Sequence, residues 1–263
     1  MPDELSIYQS FRKARRKRVK RFGKKLTRGL SGFFARQSLV PDVPIHDNRS
    51  YPFLERFVDN WPTIHSEVMG ILKHREAIPF FQQVSSDQSR IARGNNWRTF
   101  ILFGFGQKVP RNCKYAPVTT ALLETVPNLQ SAWFSILAPG YHIPAHRGVT
   151  KGILRAHLGL IIPKEAAKCR MRVSDLIQSW RPGELFVFDD TYEHEIWNDT
   201  DEERVILIFD FNRPMRYWGS AVNSGFLQLL KLTAYYQEPK RNLKIFEDRF
   251  ESAVRRAEKN NEI

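Results

Sequence analysis

The chain has 263 residues, of which 42% are hydrophobic, and 41 Lys and Arg against 28 Asp and Glu give it a formal net charge of +13. That apolar content excludes wholesale disorder, the length fits one large domain or two small ones, and no run approaches the ~20 apolar residues of a membrane-spanning helix. Cys113 and Cys169 are too few for a disulfide framework, and the basic start is not followed by the apolar stretch of about 7–15 residues that marks a secretory leader, so a reducing, cytoplasmic setting is expected.

The charge is concentrated at the start. Residues 12–28, RKARRKRVKRFGKKLTR, hold eleven Lys and Arg and no acid. Residues 1–28 carry a net +9, which leaves only +4 for the other 235. So dense a block of like charge is either a solvated tail or a contact for an anionic partner. Phe11, Val19, Phe22, Leu26, Leu30, Phe33 and Phe34 gather on one side if residues 8–36 are helical, with the bases flanking them. That is the pattern of a helix lying on anionic lipid. Nucleic acid is the rival partner, and the interleaved phenylalanines favour lipid. A peripheral station at the inner face of a membrane, reached through residues 12–28, is the expectation.

Residues 38–50 contain two prolines and no periodic pattern, and read as a linker. Over 53–74 the spacing of Trp61, Ile64, Val68, Ile71 and Leu72 predicts a helix, with Pro62 suited to a first turn. Residues 97–105 (WRTFILFGF) read as a strand, and 117–126 as a short helix begun by Pro117. From about 131 the texture changes to short apolar runs divided by Pro, Gly, Asn and Asp: SAWFSILAPG, RAHLGLIIP, KCRMRV, GELFVFDD, HEIWN and RVILIFDFNRP. Strands of that length and spacing predict a β-sandwich or barrel. Helical periodicity returns near 226–257. The expected organisation is a basic arm (1–37), a linker (38–50), a mainly β domain with N-terminal helices (51–220) and a C-terminal helical segment (221–263). Trp180, Trp197 and Trp218 read as core or rim packing, and the helix near 226–237 as a dimer contact or a sheet-packing element.

Three histidines of the β-rich part stand out, each adjoining a strand in a polar cluster: His146 in HIPAHRG, His157 in RAHLGL and His194 in DDTYEHEIW. Two histidines on different strands of a small barrel can converge on one metal. Neutral imidazole suits Fe, Zn, Cu and Ni, and a two-His site with open positions is typical of non-haem Fe(II) oxygenases. Such sites usually add a carboxylate two residues after the first His, where this chain has Gly148. Two arginines complete the pattern. Arg155 alternates with His157 along one strand face, and Arg204 opens RVILIFD. Arg204 could pair with Asp201, Glu202 or Glu203, or bind a dicarboxylate ligand through its two-pronged guanidinium.

At these residues the chain resembles the aspartyl/asparaginyl β-hydroxylase family. The resemblance runs from about Trp97 to Pro214 and rests on FSILAPGYHIPAHRG, RAHLGLIIP, GELFVFDDTYEHEIWND and RVILIFDFNRP. It implies a double-stranded β-helix core, jelly-roll or cupin-like, with Fe(II) as cofactor and 2-oxoglutarate and O2 as co-substrates. It places the iron ligands at His146 and His194, and the co-substrate contacts at Trp97, Ser135, His157 and Arg204. Arg155 falls where the family binds co-substrate or substrate. The family's animal protein hydroxylases carry HxG, as here, whereas its bacterial lipid A hydroxylase carries HRD. The basic arm and the segment Arg213–Arg216 look more like the lipid enzyme. Asp190, four residues before His194, could hold a metal-bound water by a hydrogen bond, or be only a turn acid. A hydroxylase of a peptide or related acid leads, a membrane-surface hydroxylase of a lipid acyl chain is the alternative, and a non-catalytic binding protein on the same fold is a third reading.

Overall fold

The protein is seen in a computed structural model that describes residues 29–85, 91–92, 94–104, 106–232 and 234–261. The basic run 12–28 lies outside the described residues. Residues 29–37 form helix α1. There follow β1 (Ile45–His46), α2 (Glu55–Asp59), α3 (Trp61–Leu72), α4 (Phe81–Val84), β2 (Trp97–Gly104), β3 (Gln107–Lys108), α5 (Pro110–Cys113) and α6 (Pro117–Glu124). Then come β4 (Leu129–Leu137), β5 (Tyr141–His146), β6 (Ile153–Ile161), β7 (Cys169–Val173), β8 (Leu176–Ser179), β9 (Leu185–Phe188), β10 (His194–Asn198) and β11 (Arg204–Asn212). Helices α7 (Tyr217–Lys231) and α8 (Ala234–Asn261) close the sequence of elements.

The strands form two antiparallel sheets, ordered β1-β9-β6-β11-β4-β2-β3 and β5-β10-β7-β8. From β4 onward the chain passes back and forth between them: β4 large, β5 small, β6 large, β7 and β8 small, β9 large, β10 small, β11 large. This winding is a double-stranded β-helix core with flanking helices.

Side chains alternate across a strand, so each strand of the large sheet serves two layers. In β11, Val205, Leu207, Phe209 and Phe211 join the core under the helices, while Ile206 and Ile208 face the small sheet. In β6, Leu154, Ala156, Leu158 and Leu160 face the helices, so Arg155 and His157 turn inward. In β4, Ala132, Phe134 and Ile136 face the helices, so Trp133 and Ser135 turn inward. The helix α3 buries Ile64, Val68 and Ile71 at the spacing of one face, with a proline in its first turn. Phe57 of α2 stacks on Phe209 with centroids 4.7 Å apart, a contact worth about 0.5–1.5 kcal/mol beyond the buried area. The Glu67 carboxylate on α3 accepts the backbone N–H groups of Val118 and Thr119 at 2.7 and 2.9 Å, satisfying orphan donors at the start of α6.

Four expectations change. The helix read over 53–74 is broken by a 3-10 turn and a boundary at Asn60, because Pro52 and Pro62 each start a new element. The segment read as a linker supplies β1, which pairs with β9 through Ile45↔Phe188 and His46↔Val187. Of the seven apolar arm residues, Phe34 is fully buried with its ring 6.4 Å from Phe226 of α7, so intramolecular packing takes a side chain read as lipid-facing. Trp180 is core, but Trp218 is 70% exposed and packs in neither core nor rim.

Candidate active site

His146 and His194 come from adjacent strands of the small sheet and stand directly opposite each other in register. Their ring centroids are 4.1 Å apart. A register shift between His194 and Ile196 makes this possible. Ile143 and His146 are three apart and would face opposite sides of a regular strand. The extra residue of the bulge turns His146 to the inside as well. Each ring is held in the same way: Nδ1 of His146 donates to the Pro144 carbonyl and Nδ1 of His194 to the Tyr192 carbonyl, both at 2.9 Å. A carbonyl only accepts, so the proton of each neutral ring sits on Nδ1 and the lone pair on Nε2. That is the tautomer and support a metal-ligating histidine requires. Burial, joined by the neighbouring His146, pushes the His194 pKa down to about 3, so the ring is neutral near pH 7.

Among the described residues no group of three or more His, Cys, Asp or Glu side chains is arranged to hold a metal. The usual third position is Gly148, and its empty side is filled by another residue. A Cβ built on Gly148 would collide with the Asp190 carboxylate, and the Gly148 N–H donates to the Asp190 carbonyl at 2.7 Å. Asp190 therefore stands beside the histidine pair from the opposite strand connection. Desolvation raises its pKa to about 7, against the pull of Arg155. Its neighbour Asp189 is fully buried and fixes this connection. Asp189 accepts from Thr191 N at 2.9 Å, from Lys151 Nζ at 2.9 Å and from Arg213. Arg213, first noted as part of a lipid-enzyme-like segment, is thus a buried strut for the loop that carries Asp190 and His194.

On the facing sheet, Arg204 is completely buried. It has no carboxylate partner among the described residues, because Glu203 turns to Arg75 and Glu202 accepts from the Lys164 N–H. The structural ion-pair reading of Arg204 is thereby set aside. Its Nη2 donates to Ser135 Oγ at 3.1 Å, and its guanidinium lies 4.8 Å from the Trp180 ring. Nε and Nη1 have no partner. Burial lowers its pKa to about 10, which still leaves it charged. Trp97 Nε1 donates to the same Ser135 oxygen at 3.0 Å. His157 accepts from Trp180 Nε1 at 3.4 Å, and its Nε2 is buried without a partner. Burial holds the His157 pKa well below the usual value.

Arg155 is anchored rather than loose. It forms a two-pronged pair with Asp210 at 2.7 and 2.9 Å, approaches Asp190 at 3.6 Å and lies 5.3 Å from the Trp133 ring. Asp210 faces Arg155 across the β6–β11 pairing, a relation that no sequence spacing reveals. Thr99 was also missed. It lies two residues after Trp97 and opposite Ser135, is buried, and has an unpartnered Oγ1. Strand alternation from Trp97 was the signal that could have found it.

These groups line or adjoin one cleft of about 490 Å³. Trp97, Thr99, Arg155, His157 and Asp190 line it together with the histidine pair. Ile101, Phe103, Trp133, Ile153, Ile208 and Leu227 give it a broad apolar wall, and Lys108, Arg111, Lys231, Lys244 and Glu247 also line it.

The sequence pattern of the aspartyl/asparaginyl beta-hydroxylase family matches residues 58–214. An ornithine lipid ester-linked acyl 2-hydroxylase from Rhizobium tropici is 39% identical, over 79% of this chain and 74% of its own. The human aspartyl/asparaginyl beta-hydroxylase is 34% identical over 59% of this chain, which spans only 20% of that longer protein. Among solved structures, an oxidoreductase of the 2OG-Fe(II) oxygenase family from Burkholderia pseudomallei aligns with a TM-score of 0.35 and 13% identity, over 45% of this chain and 66% of the other. Likeness that distant carries no inference about chemistry.

Proposed function

The chain belongs to the aspartyl/asparaginyl β-hydroxylase family, and on that premise we propose that it is an Fe(II)- and 2-oxoglutarate-dependent hydroxylase acting on a lipid acyl chain. The observation that carries the oxygenase reading is the unpaired, fully buried Arg204 across from the His146–His194 pair. A buried charge without a partner costs several kcal/mol, and a carboxylate ligand removes that cost. The donor set fits the groups invoked. Nε2 of His146 and of His194 would hold iron. Arg204 and Ser135 would receive the far carboxylate of 2-oxoglutarate, with Trp97, Thr99 and His157 around it. Bound iron supplies oxygen activation, drawing two electrons from 2-oxoglutarate as it becomes succinate and CO2.

The chain's own residues supply orientation. The carbonyls of Pro144 and Tyr192 fix the imidazoles. Asp190, poised between its protonated and ionised forms near pH 7, holds or releases a proton beside the pair and anchors water there. Arg155, locked by Asp210, positions Asp190 and presents a cation to the cleft. The apolar walls exclude bulk water from the reacting C–H.

The substrate assignment rests on that lining. Ile101, Phe103, Ile153, Ile208 and Leu227 offer an alkyl chain a dry surface and offer a peptide backbone few partners. The extent of the likeness to the Rhizobium tropici lipid hydroxylase supports the same choice. A peptidyl acid is the second reading, favoured by Arg147 and Arg155 in the cleft and by the HxG motif. Incubation with Fe(II) and 2-oxoglutarate, followed by mass spectrometry of an added phospholipid and aminolipid extract and of acidic peptides, separates them. The expected result is succinate formation with one oxygen atom added to an acyl chain, both abolished in His146→Ala and His194→Ala. Oxygen found only in peptide would overturn the lipid assignment. No succinate and no iron bound by the native chain would overturn the oxygenase itself.

A further inference from the structure

Helix α7 has an outer face that a water-exposed helix would not be expected to carry. Tyr217, Trp218, Leu229 and Leu232 are 77%, 70%, 57% and 78% exposed. Trp218, Val222, Gly225, Leu229 and Leu232 follow one another at four, three, four and three residues, so they form a single stripe along the helix. Among the fifteen residues of α7, Lys231 alone is charged. Surface helices ordinarily set charged and polar side chains toward solvent. The opposite face is spent on the protein: Gly219, Asn223, Phe226 and Leu227 are buried, and Leu227 and Leu230 line the cleft.

The neighbour of α7 says what covers the stripe. Helix α1 runs antiparallel to α7. Arg216 N–H donates to the Gln37 carbonyl at 2.8 Å, and Phe34 meets Phe226 further along. The start of α1 at residue 29 therefore lies toward the Leu229–Leu232 end of the stripe. The eleven cations of residues 12–28 join the fold at that end. The α7 face of a second copy carries no acid to meet these cations, whereas an anionic surface attracts each of them. The Tyr217–Trp218 pair, in edge-to-face contact with centroids 5.2 Å apart, has the amphipathic rings that favour the boundary between headgroups and acyl chains.

We propose that the outer face of α7 docks this protein on an anionic lipid bilayer, and that an acyl chain enters the cleft from that bilayer along α7. The entry route rests on the acyl-chain reading above; the docking does not. Among the described residues no helix is long and apolar enough to cross a membrane. The contact is a helix lying in the interface, strengthened by nearby cations and weakened by salt.

The test is co-sedimentation of the full chain with phosphatidylcholine vesicles, with and without phosphatidylglycerol, at low and high salt. Trp218→Ser/Leu232→Ser is compared with Arg15→Glu/Arg16→Glu/Lys17→Glu, and each protein is also sized in solution. Binding is expected for the native chain on phosphatidylglycerol vesicles only, with at least a roughly tenfold loss in both variants, since apolar burial and charge both contribute. Native-like binding by Trp218→Ser/Leu232→Ser would overturn the proposal and leave docking to the basic run alone. A native dimer converted to monomer by the same variant would overturn it in favour of a second copy on the stripe. No binding by the native chain would overturn it outright. Vesicle binding requires neither iron nor co-substrate, so failure of the hydroxylase reading would show separately, as absent succinate from a chain that still binds.

Discussion

Arg204 concentrates the conflict between stability and activity in a single side chain. It is buried, charged and bonded only to Ser135 among its polar neighbours, an arrangement that costs folding energy until a carboxylate arrives. Replacing a buried, poorly paired ion with an apolar side chain of similar length is neutral or stabilising by about 1–4 kcal/mol. Arg204→Met is therefore expected to raise the melting temperature of the ligand-free protein while removing co-substrate binding. Arg204→Lys keeps the charge but not the two-pronged geometry, and should weaken 2-oxoglutarate by about tenfold to a hundredfold, the loss of one charge-assisted hydrogen bond. Thermal unfolding and calorimetric titration of both variants check the pair. An unstable Arg204→Met protein, or an unchanged 2-oxoglutarate affinity in Arg204→Lys, would make Arg204 a structural residue.

At the scale of elements, the arm of residues 1–37 separates into two roles the sequence presented as one. Its last part, α1, packs on α7: a Cβ on Gly219 would meet Gln37 closely, and Phe34 has no exposed surface. The basic run precedes α1 in the sequence. Phe34→Ala should lower the unfolding free energy by about 3–5 kcal/mol, as for other buried aromatic truncations. Charge reversal at Arg15, Arg16 and Lys17 should leave stability within about 0.5 kcal/mol, the usual range for surface changes. Urea denaturation of both variants distinguishes these roles. Equal effects would mean that α1 does not depend on its contact with α7.

For the whole molecule, two neighbouring groups act on the pH dependence of stability with opposite sign. The folded state holds His194 near a pKa of about 3 against an ordinary 6.5. The unfolded chain then binds the extra proton, and stability is lost as pH falls from about 6.5 toward 3. Asp190 is held at about 7 against an ordinary 3.8. Here the folded state binds the extra proton, and stability is lost as pH rises from about 4 to 7. In metal-free protein the two largely offset between about pH 4 and 6.5. Asp190→Asn removes the second contribution, so its melting temperature should climb more steeply with pH across that window than the native protein's. Parallel profiles would place Asp190 in an ordinary solvated environment.

What the sequence determined by itself were the properties that depend on neighbours along the chain. Alternation in RAHLGL put Arg155 and His157 on one face, since strand geometry repeats every two residues. The apolar spacing of α3 and the short strands after residue 131 marked the helix-covered β-core in the same way. The family motifs supplied the candidate ligands and co-substrate contacts that spacing alone left open. Tertiary structure decided what depends on pairing between distant segments. The bulge that turns His146 toward His194 and the register that sets Asp210 against Arg155 are properties of two strands at once. Likewise, Asp190 fills the space over Gly148, and Arg204 is left without its nearby acids, because β11 carries its guanidinium inward while Glu203 faces Arg75. The exposed stripe of α7 has the same origin. Its periodicity is that of any buried helix, and only the packing of α1 and the seating of Asn223 on the Gly152 carbonyl show which half stays uncovered.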